Sequence, residues 1–107
     1  MEKRKRIVFD DERLKVLCDN KPEVFIEWKD VYVVSFYKID TMTCILTYLV
    51  FDFEYGEFIE LHDGMEGFNL LVENLSRYLP IQYPDWESTI KSSSPIDSSV
   101  TVYRRLN

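Results

Sequence analysis

The stretch TCILTYLVFDFEYGEFIELHDGMEGFNLLVENLSRYLP, residues 43–80, contains a change of hydrophobic period that decides the fold. Its first part, residues 43–53, is rich in β-branched and aromatic residues and is apolar on both faces, which predicts a central strand covered on both sides. Residues 54–56 predict a hairpin loop, because Gly56 readily takes a positive φ. Residues 57–62 then return as the partner strand.

The second part of this stretch has the period of a helix. Its apolar residues recur at spacings of three and four, which predicts one buried stripe formed by Met65, Phe68, Leu71, Val72, Leu75 and Leu79. Asp63, with Glu66 three residues later, has the arrangement of a capping box. Pro80 cannot continue a helix, so the pattern predicts a helix over residues 63–79.

Further elements are predicted on both sides of this stretch. The alternation or the β-branched and aromatic composition of strands occurs in residues 24–28, 31–39 and 100–104. A short helical turn is predicted near Trp86 and Ile90. Residues 6–20 predict an extended start followed by one or two helical turns, because Leu14 and Leu17 recur at helical spacing after an acidic triplet.

This order of elements predicts an α+β fold in a single domain of residues 1–107. The economical architecture is an antiparallel sheet of about four to six strands with one main helix packed on it. The alternative is a strongly bent, pleckstrin-homology-like sheet plus a helix. Residues 1–6 include the run KRKR, which is typical of a mobile basic tail.

Charge is distributed unevenly in this chain, whose formal net charge is −6. Residues 40–87 contain ten acidic residues and one basic residue, Arg77. Such a negative field repels phosphates and argues against nucleic-acid binding. No apolar run approaches the roughly 18 residues of a membrane span, and no signal-peptide core follows the basic N-terminus. With two widely spaced cysteines, these features predict a cytoplasmic protein that binds neither nucleic acid nor membrane.

The acidic segment also contains the chain's single histidine, which raises the question of a metal or catalytic site. Glu60 and His62 lie two residues apart on a predicted strand and therefore share a face, which makes them weak candidates for a metal or small-ligand site. No second histidine exists to complete such a site, and the spacing of residues 52–63 departs from that of an EF-hand loop. No nucleophile–base pair or phosphate-binding loop is indicated, so we predict no catalytic residue, no enzyme and no cofactor.

Binding is the function that this segment favours. Opposite charge accelerates the encounter with a partner, and aromatic side chains supply anchors. The candidate anchors are Phe53, Tyr55, Phe58 and Trp86, for which the alternative is a place in the core. The sequence predicts an acidic face that binds a basic protein partner and is formed by Asp52, Glu54, Tyr55, Glu57 and Glu60.

The oligomeric state is open between a monomer and a homodimer. A homodimer would pair through an exposed sheet edge or through the strand predicted at residues 100–104, because a strand edge has free backbone groups. Arg104 and Arg105 would then meet the acidic segment of the neighbouring copy.

Most of the chain resembles a set of small bacterial proteins of unknown function. The resemblance lies in EWKDVYVVSFYKID (27–40), EYGEFIEL (54–61), MEGFNLLVENLSRYLP (65–80), a following tryptophan and TVYRR (101–105). It implies no catalytic residue. In size, acidity and α+β character the chain is also similar to immunity proteins of bacterial toxin systems, and this similarity implies a protein that acts by binding and blocking a partner.

Overall fold

The computed structural model describes residues 4–83, 85–97 and 99–105. Within them, seven strands form two antiparallel sheets and two helices complete the fold. The three-stranded sheet has the order β1-β2-β3 and consists of β1 (Lys5–Phe9), β2 (Arg13–Cys18) and β3 (Lys21–Glu27). A 3₁₀ turn, Trp28–Asp30, joins it to the second sheet.

The four-stranded sheet has the order β6-β5-β4-β7. Its strands are β4 (Val31–Asp40), β5 (Ile45–Phe53), β6 (Phe58–His62) and β7 (Val100–Arg104). Helices α1 (Phe68–Tyr78) and α2 (Trp86–Ser92) lie between β6 and β7 in the chain. The described part of the chain thus confirms an α+β fold with antiparallel strands. The expected single sheet with one main helix is only roughly consistent with it, because the strands divide between two sheets and a second, shorter helix follows α1.

One hydrophobic core joins both sheets to both helices. Alternate residues of β4 and β5 point into it, and Val34, Leu49 and Phe51 are each fully buried. The predicted helical stripe is confirmed from Phe68 onward, since the residues that it shares with the core are Phe68, Leu71, Val72, Leu75 and Leu79. The opposite side of the four-stranded sheet, which we call the outer face, contains half-buried residues such as Tyr48. Strand β5 is therefore central, but it is deeply covered on one side only.

The N-terminal segment forms a hairpin where we expected helical turns. Asp10 Oδ1 accepts hydrogen bonds from the backbone N–H groups of Glu12 and Arg13, at 2.9 and 3.0 Å. These backbone donors hold the pKa of the Asp10 carboxyl below its ordinary value. The acidic triplet therefore closes the turn between β1 and β2, and Leu14 and Val16 alternate into the core. Alternation, and not the helical spacing of leucines, is the pattern that governs this segment.

Helix α1 begins later than predicted. The residue preceding it is Gly67, with a φ of 91°, and no side chain caps the helix. The backbone of Glu66 instead pairs with β1, accepting a hydrogen bond from the N–H of Ile7 at 2.7 Å. A capping box from Asp63 to Glu66 is therefore wrong, because tertiary pairing takes the backbone that the first helical turn would use.

The expected basic tail falls partly outside the described residues, which begin at Arg4. Lys5 and Arg6 belong to β1, where they pair with Cys18 and Leu17 of β2. Those two residues are therefore part of the sheet.

The edge of β7 that faces away from β4 is occupied by one residue of the preceding loop. The backbone N–H of Gln82 donates to the carbonyl oxygen of Val102 at 3.0 Å. Its side-chain Nε2 donates to the carbonyl oxygen of Arg104 at 2.8 Å, and its Oε1 accepts from the Arg104 N–H at 3.1 Å. Gln82 thus replaces a neighbouring strand at this edge.

Two further observations concern the helices and the cysteines. Neither helix in the described part of the chain has the length and apolar character needed to cross a membrane. Cys18 is half-buried and Cys44 is exposed, and both are free thiols.

Candidate functional site

A cleft of about 490 Å³ opens between β3, the turn from β5 to β6, and the residue that follows β7. We call it the acidic cleft. It is lined by Phe25, Glu27, Asp30, Phe53, Glu54, Tyr55, Glu57, Ile59 and Arg105. Four of these nine residues are acidic and one is basic, and the others are aromatic or aliphatic.

The turn from β5 to β6 supplies one wall of the acidic cleft. Two backbone hydrogen bonds of Phe53 close this turn. Its N–H donates to the Glu57 carbonyl oxygen at 2.8 Å, and its carbonyl oxygen accepts from the Gly56 N–H at 3.3 Å. Gly56 has a φ of 90°, which the tight turn requires and which glycine adopts without a steric cost. Glu54 and Tyr55 therefore project at the tip, where Tyr55 is 88% exposed.

Strand β3 supplies the other wall. Its alternation sends Ile26 into the core, so the neighbouring Phe25 and Glu27 point to the opposite side and line the acidic cleft. Phe25 is 55% exposed, so more than half of its side chain is open to solvent at this wall. Asp30 extends this wall from the 3₁₀ turn that follows.

The electrostatics of the acidic cleft are dominated by negative charge. Among the described residues, only one carboxylate of the acidic cleft forms an ion pair: Glu27 lies 3.4 Å from Lys29 Nζ. Arg105 lines the acidic cleft but has no carboxylate within ion-pair distance among those residues. The ammonium group of Lys15 lies 5.9 Å from the centre of the Phe25 ring, in the geometry of a cation–π contact. Two lysines of the chain thus lie next to the lining of the acidic cleft, Lys29 beside a carboxylate and Lys15 beside an aromatic ring.

The remaining predicted residues, Asp52 and Glu60, lie on the outer face of the four-stranded sheet. Asp52 is opposite Phe58 in the register between β5 and β6, and Phe58 is 58% exposed. The hydroxyl of Tyr37 reaches across β5 and donates a hydrogen bond to Glu60 Oε2. Burial of the phenol, together with the hydrogen bond and charge of Glu60, raises the pKa of Tyr37 to about 12.

His62 is part of an aromatic row on the outer face. The Tyr37 and Tyr48 rings are stacked with centroids 5.2 Å apart, and the His62 ring lies 5.5 Å from that of Tyr48. His62 Nδ1 accepts a hydrogen bond from the N–H of Gly64 at 3.0 Å, which leaves Nε2 as its free nitrogen. Among residues 4–83, 85–97 and 99–105, no three acidic, histidine or cysteine side chains are grouped closely enough to hold a metal ion.

The structure thus divides the predicted acidic face into two parts. Glu54, Tyr55 and Glu57 come together in the acidic cleft, whereas Asp52 and Glu60 lie on the outer face. Of the candidate anchors, Trp86 is 3% exposed, so for this residue the alternative of a place in the core is the one observed. The sequence analysis missed Phe25, whose signal was an aromatic residue on the polar side of an alternating strand.

Comparison of the chain with models of known protein families, with curated protein sequences and with solved structures gave no significant match.

Proposed function

We propose that the protein is a non-enzymatic binding module that captures a basic protein partner through the acidic cleft. The observation that carries this proposal is the meeting of Glu54, Tyr55 and Glu57 with Phe25 and Asp30, which are remote in sequence. Carboxylates alone would be a solvated surface. The exposed aromatic rings between them add apolar area, and its removal from water by a partner contributes to binding energy.

The two kinds of side chain have different roles in this proposal. The negative charge of Glu54 and Glu57 accelerates the encounter with a basic surface, and this effect weakens as salt is added. Phe25 and Tyr55 supply the anchors, since aromatic side chains at the centre of an interface carry most of its binding energy. The aliphatic stems of lysine and arginine pack against such rings while their charged ends meet the carboxylates.

The proposed setting is the bacterial cytoplasm, and the proposed action is immunity-like blocking of a basic protein. The two free thiols support an intracellular setting, because cysteines in oxidising compartments are usually paired. The resemblance to small bacterial proteins supports the bacterial origin. For the fold, we propose as the alternative a strongly bent, pleckstrin-homology-like sheet with a helix packed on it.

The experiment is partner capture followed by charge reversal. Immobilised protein is exposed to bacterial lysate at low salt, and the bound proteins are released by raising the salt concentration and identified by mass spectrometry. The affinity of the released protein is then measured for the wild type and for the single variants Glu54→Lys, Glu57→Lys and Tyr55→Ala. We expect each variant to weaken binding about tenfold, which corresponds to about 1.4 kcal/mol.

Glu73→Lys is the matched control, because Glu73 is exposed on α1 and the substitution changes the net charge by the same amount. We expect it to bind like the wild type. Equal losses in Glu73→Lys and Glu54→Lys would mean that total charge, and not the acidic cleft, determines binding, and would overturn the proposal.

A further inference from the structure

The two sheets have four outer strand edges, and the chain itself covers two of them. The edge of β7 holds Gln82. The edge of β1 holds the backbone of Glu66, which donates to the Lys5 carbonyl oxygen at 3.2 Å and accepts from the Ile7 N–H at 2.7 Å. An uncovered edge is a template for pairing with another chain, so both contacts protect the molecule from such pairing.

The other two edges differ from each other. The edge strand β3 contains Pro22 between Lys21 and Glu23, and all three residues are exposed. Proline lacks an N–H and is one of the residues by which edge strands resist pairing with another chain. Strand β6 has neither proline nor lysine, and in the described chain its backbone bonds only to β5 and to the turn that follows it. Of the edges described, β6 is therefore the one left open.

The register with β5 shows which groups of β6 face outward. Just before β6, the carbonyl oxygen of Glu57 accepts a hydrogen bond from β5 at 2.8 Å. Just after it, the N–H of Asp63 donates to β5 at 3.1 Å. Because pairing alternates along an antiparallel ladder, the residues between them that face outward are Phe58, Glu60 and, through its N–H, His62.

The charges along β6 indicate what kind of strand fits this edge. Acidic residues recur every three positions, at Glu57, Glu60 and Asp63. In the antiparallel register that pairs all of β6 with a second copy, Glu60 would face its own symmetry mate and Glu57 would face Asp63. Like charges directly opposite each other are destabilising, whereas lysine or arginine at those positions is favourable.

We propose that β6 accepts an extended, basic segment of a protein partner as an added strand, which makes the four-stranded sheet five-stranded. The proposal rests on the proposed function in that the partner is basic. It adds the mode of recognition: backbone hydrogen bonds to Phe58 and Glu60 give affinity, and the carboxylate of Glu60, on the outer face, selects a basic side chain on that face of the added strand. Since Glu57 also lines the acidic cleft, one segment can follow β6 and end in the acidic cleft.

The test uses the full chain and a synthetic peptide in which lysine alternates with valine, at low ionic strength. The first readout is amide hydrogen exchange of the wild-type protein measured by NMR. We expect the peptide to protect the amide protons of Phe58 and Glu60 and to leave those of Lys21 and Glu23 on the β3 edge unchanged. Protection confined to Phe25 and Tyr55 in the acidic cleft would overturn strand addition while leaving acidic-cleft binding intact.

The second readout separates the backbone of Glu60 from its charge. Glu60→Val removes the carboxylate and keeps the N–H, whereas Glu60→Pro removes both without taking a donor from the ladder with β5. We expect Glu60→Pro to bind the peptide about tenfold more weakly than Glu60→Val, because a backbone hydrogen bond is lost and the proline ring obstructs the edge. Equal affinities of the two variants would overturn the proposal.

Sedimentation of the free protein tests the second-copy alternative. Self-association that is present in the wild type and lost in Glu60→Pro would overturn the proposal by showing that β6 pairs with itself. No binding of the peptide to the wild-type protein would overturn this inference, whereas the proposed function is overturned only by the capture experiment and its Glu73→Lys control. A peptide whose binding is lost in Glu54→Lys, but is equal in Glu60→Val and Glu60→Pro, overturns strand addition alone.

Discussion

The ring of Trp28 lies parallel to that of Tyr78, with centroids 4.9 Å apart and an angle of 1° between the planes. Trp28 belongs to the turn between the sheets, and Tyr78 is the last residue of α1. The indole N–H donates to the Asp10 carbonyl oxygen at 2.8 Å, and Phe9 contacts the Tyr78 ring edge-on at 5.7 Å. This cluster joins the three-stranded sheet, the inter-sheet turn and the end of α1.

The first prediction concerns this cluster. Tyr78→Ala removes both aromatic contacts, and we expect the free energy of unfolding to fall by about 2 kcal/mol. Tyr78→Phe keeps both contacts and is expected to change it by less than about 0.5 kcal/mol. Urea unfolding followed by tryptophan fluorescence measures both. An equal loss in the two variants would mean that the hydroxyl, and not the stacked ring, stabilises this cluster.

The second prediction compares two glycines with nearly the same backbone conformation. Gly67 and Gly56 have φ values of 91° and 90°. A Cβ at Gly67 would lie 2.4 Å from the carbonyl oxygen of Ile7, whereas a Cβ at Gly56 has no neighbour within 4 Å. We expect Gly56→Ala to cost about 1 kcal/mol through backbone strain alone. Gly67→Ala should cost about 3 kcal/mol, because the clash forces β1 and α1 apart. Similar costs, measured by urea unfolding, would show that the contact with β1 relaxes freely.

The third prediction concerns the covered edge of β7. Gln82→Ala removes the two side-chain hydrogen bonds to Arg104, and we expect the free energy of unfolding to fall by about 1–2 kcal/mol. We also expect self-association at high protein concentration, because the edge then has free backbone groups. Gln82→Glu keeps the acceptor and loses the donor, so its effect should be intermediate. Light scattering and urea unfolding measure the two effects, and a monomeric Gln82→Ala variant of wild-type stability would contradict this role.

The fourth prediction concerns pH. The pKa of Tyr37 in the folded protein, about 12, lies above its ordinary value of 10.0, so the folded state binds this proton more tightly than the unfolded state. The stability that this provides is fully present below pH 10 and is lost as the pH rises toward 12. We expect Tyr37→Phe to lose less stability than the wild type over that interval. Parallel profiles of unfolding free energy against pH would contradict the assignment.

Glu60→Gln provides a complementary test of the same contact. It removes the negative charge that faces the Tyr37 hydroxyl, so we expect the pKa of Tyr37 to move toward its ordinary value. Near-ultraviolet absorbance of the phenolate during an alkaline titration reports this shift. An unchanged titration would mean that burial alone raises the pKa.

The local sequence pattern predicted those helices and strands whose apolar residues all pack on the same core. The stripe of α1 is an example, because Leu71, Val72 and Leu75 all pack on the core. The hairpin of β5 and β6 is another, since its turn contains a glycine with positive φ. The same kind of signal was present at Asp19 and Asn20, whose positive φ values close the turn between β2 and β3.

Tertiary pairing explains what the sequence did not reveal. The backbone of Glu66 is hydrogen-bonded to β1, and α1 therefore starts after Gly67. A capping pattern in the sequence does not contain information about this pairing. The acidic cleft likewise brings Phe25 to Tyr55 across thirty positions, and neither residue indicates the other in the sequence. Period and composition thus predicted which acidic residues lie at the surface, but not which of them lie together in the acidic cleft.

The order β6-β5-β4-β7 also determines when the four-stranded sheet is finished during synthesis. Because synthesis proceeds from the N-terminus, β5 leaves the ribosome soon after β4. Strand β7 emerges roughly sixty residues after β4. Until residues 100–104 are available, β4 has one bare edge next to the apolar side chains of Val34 and Phe36. Nascent chains on the same messenger RNA lie close together. During this interval the free edge of β4 can pair with the same edge of a neighbouring nascent chain.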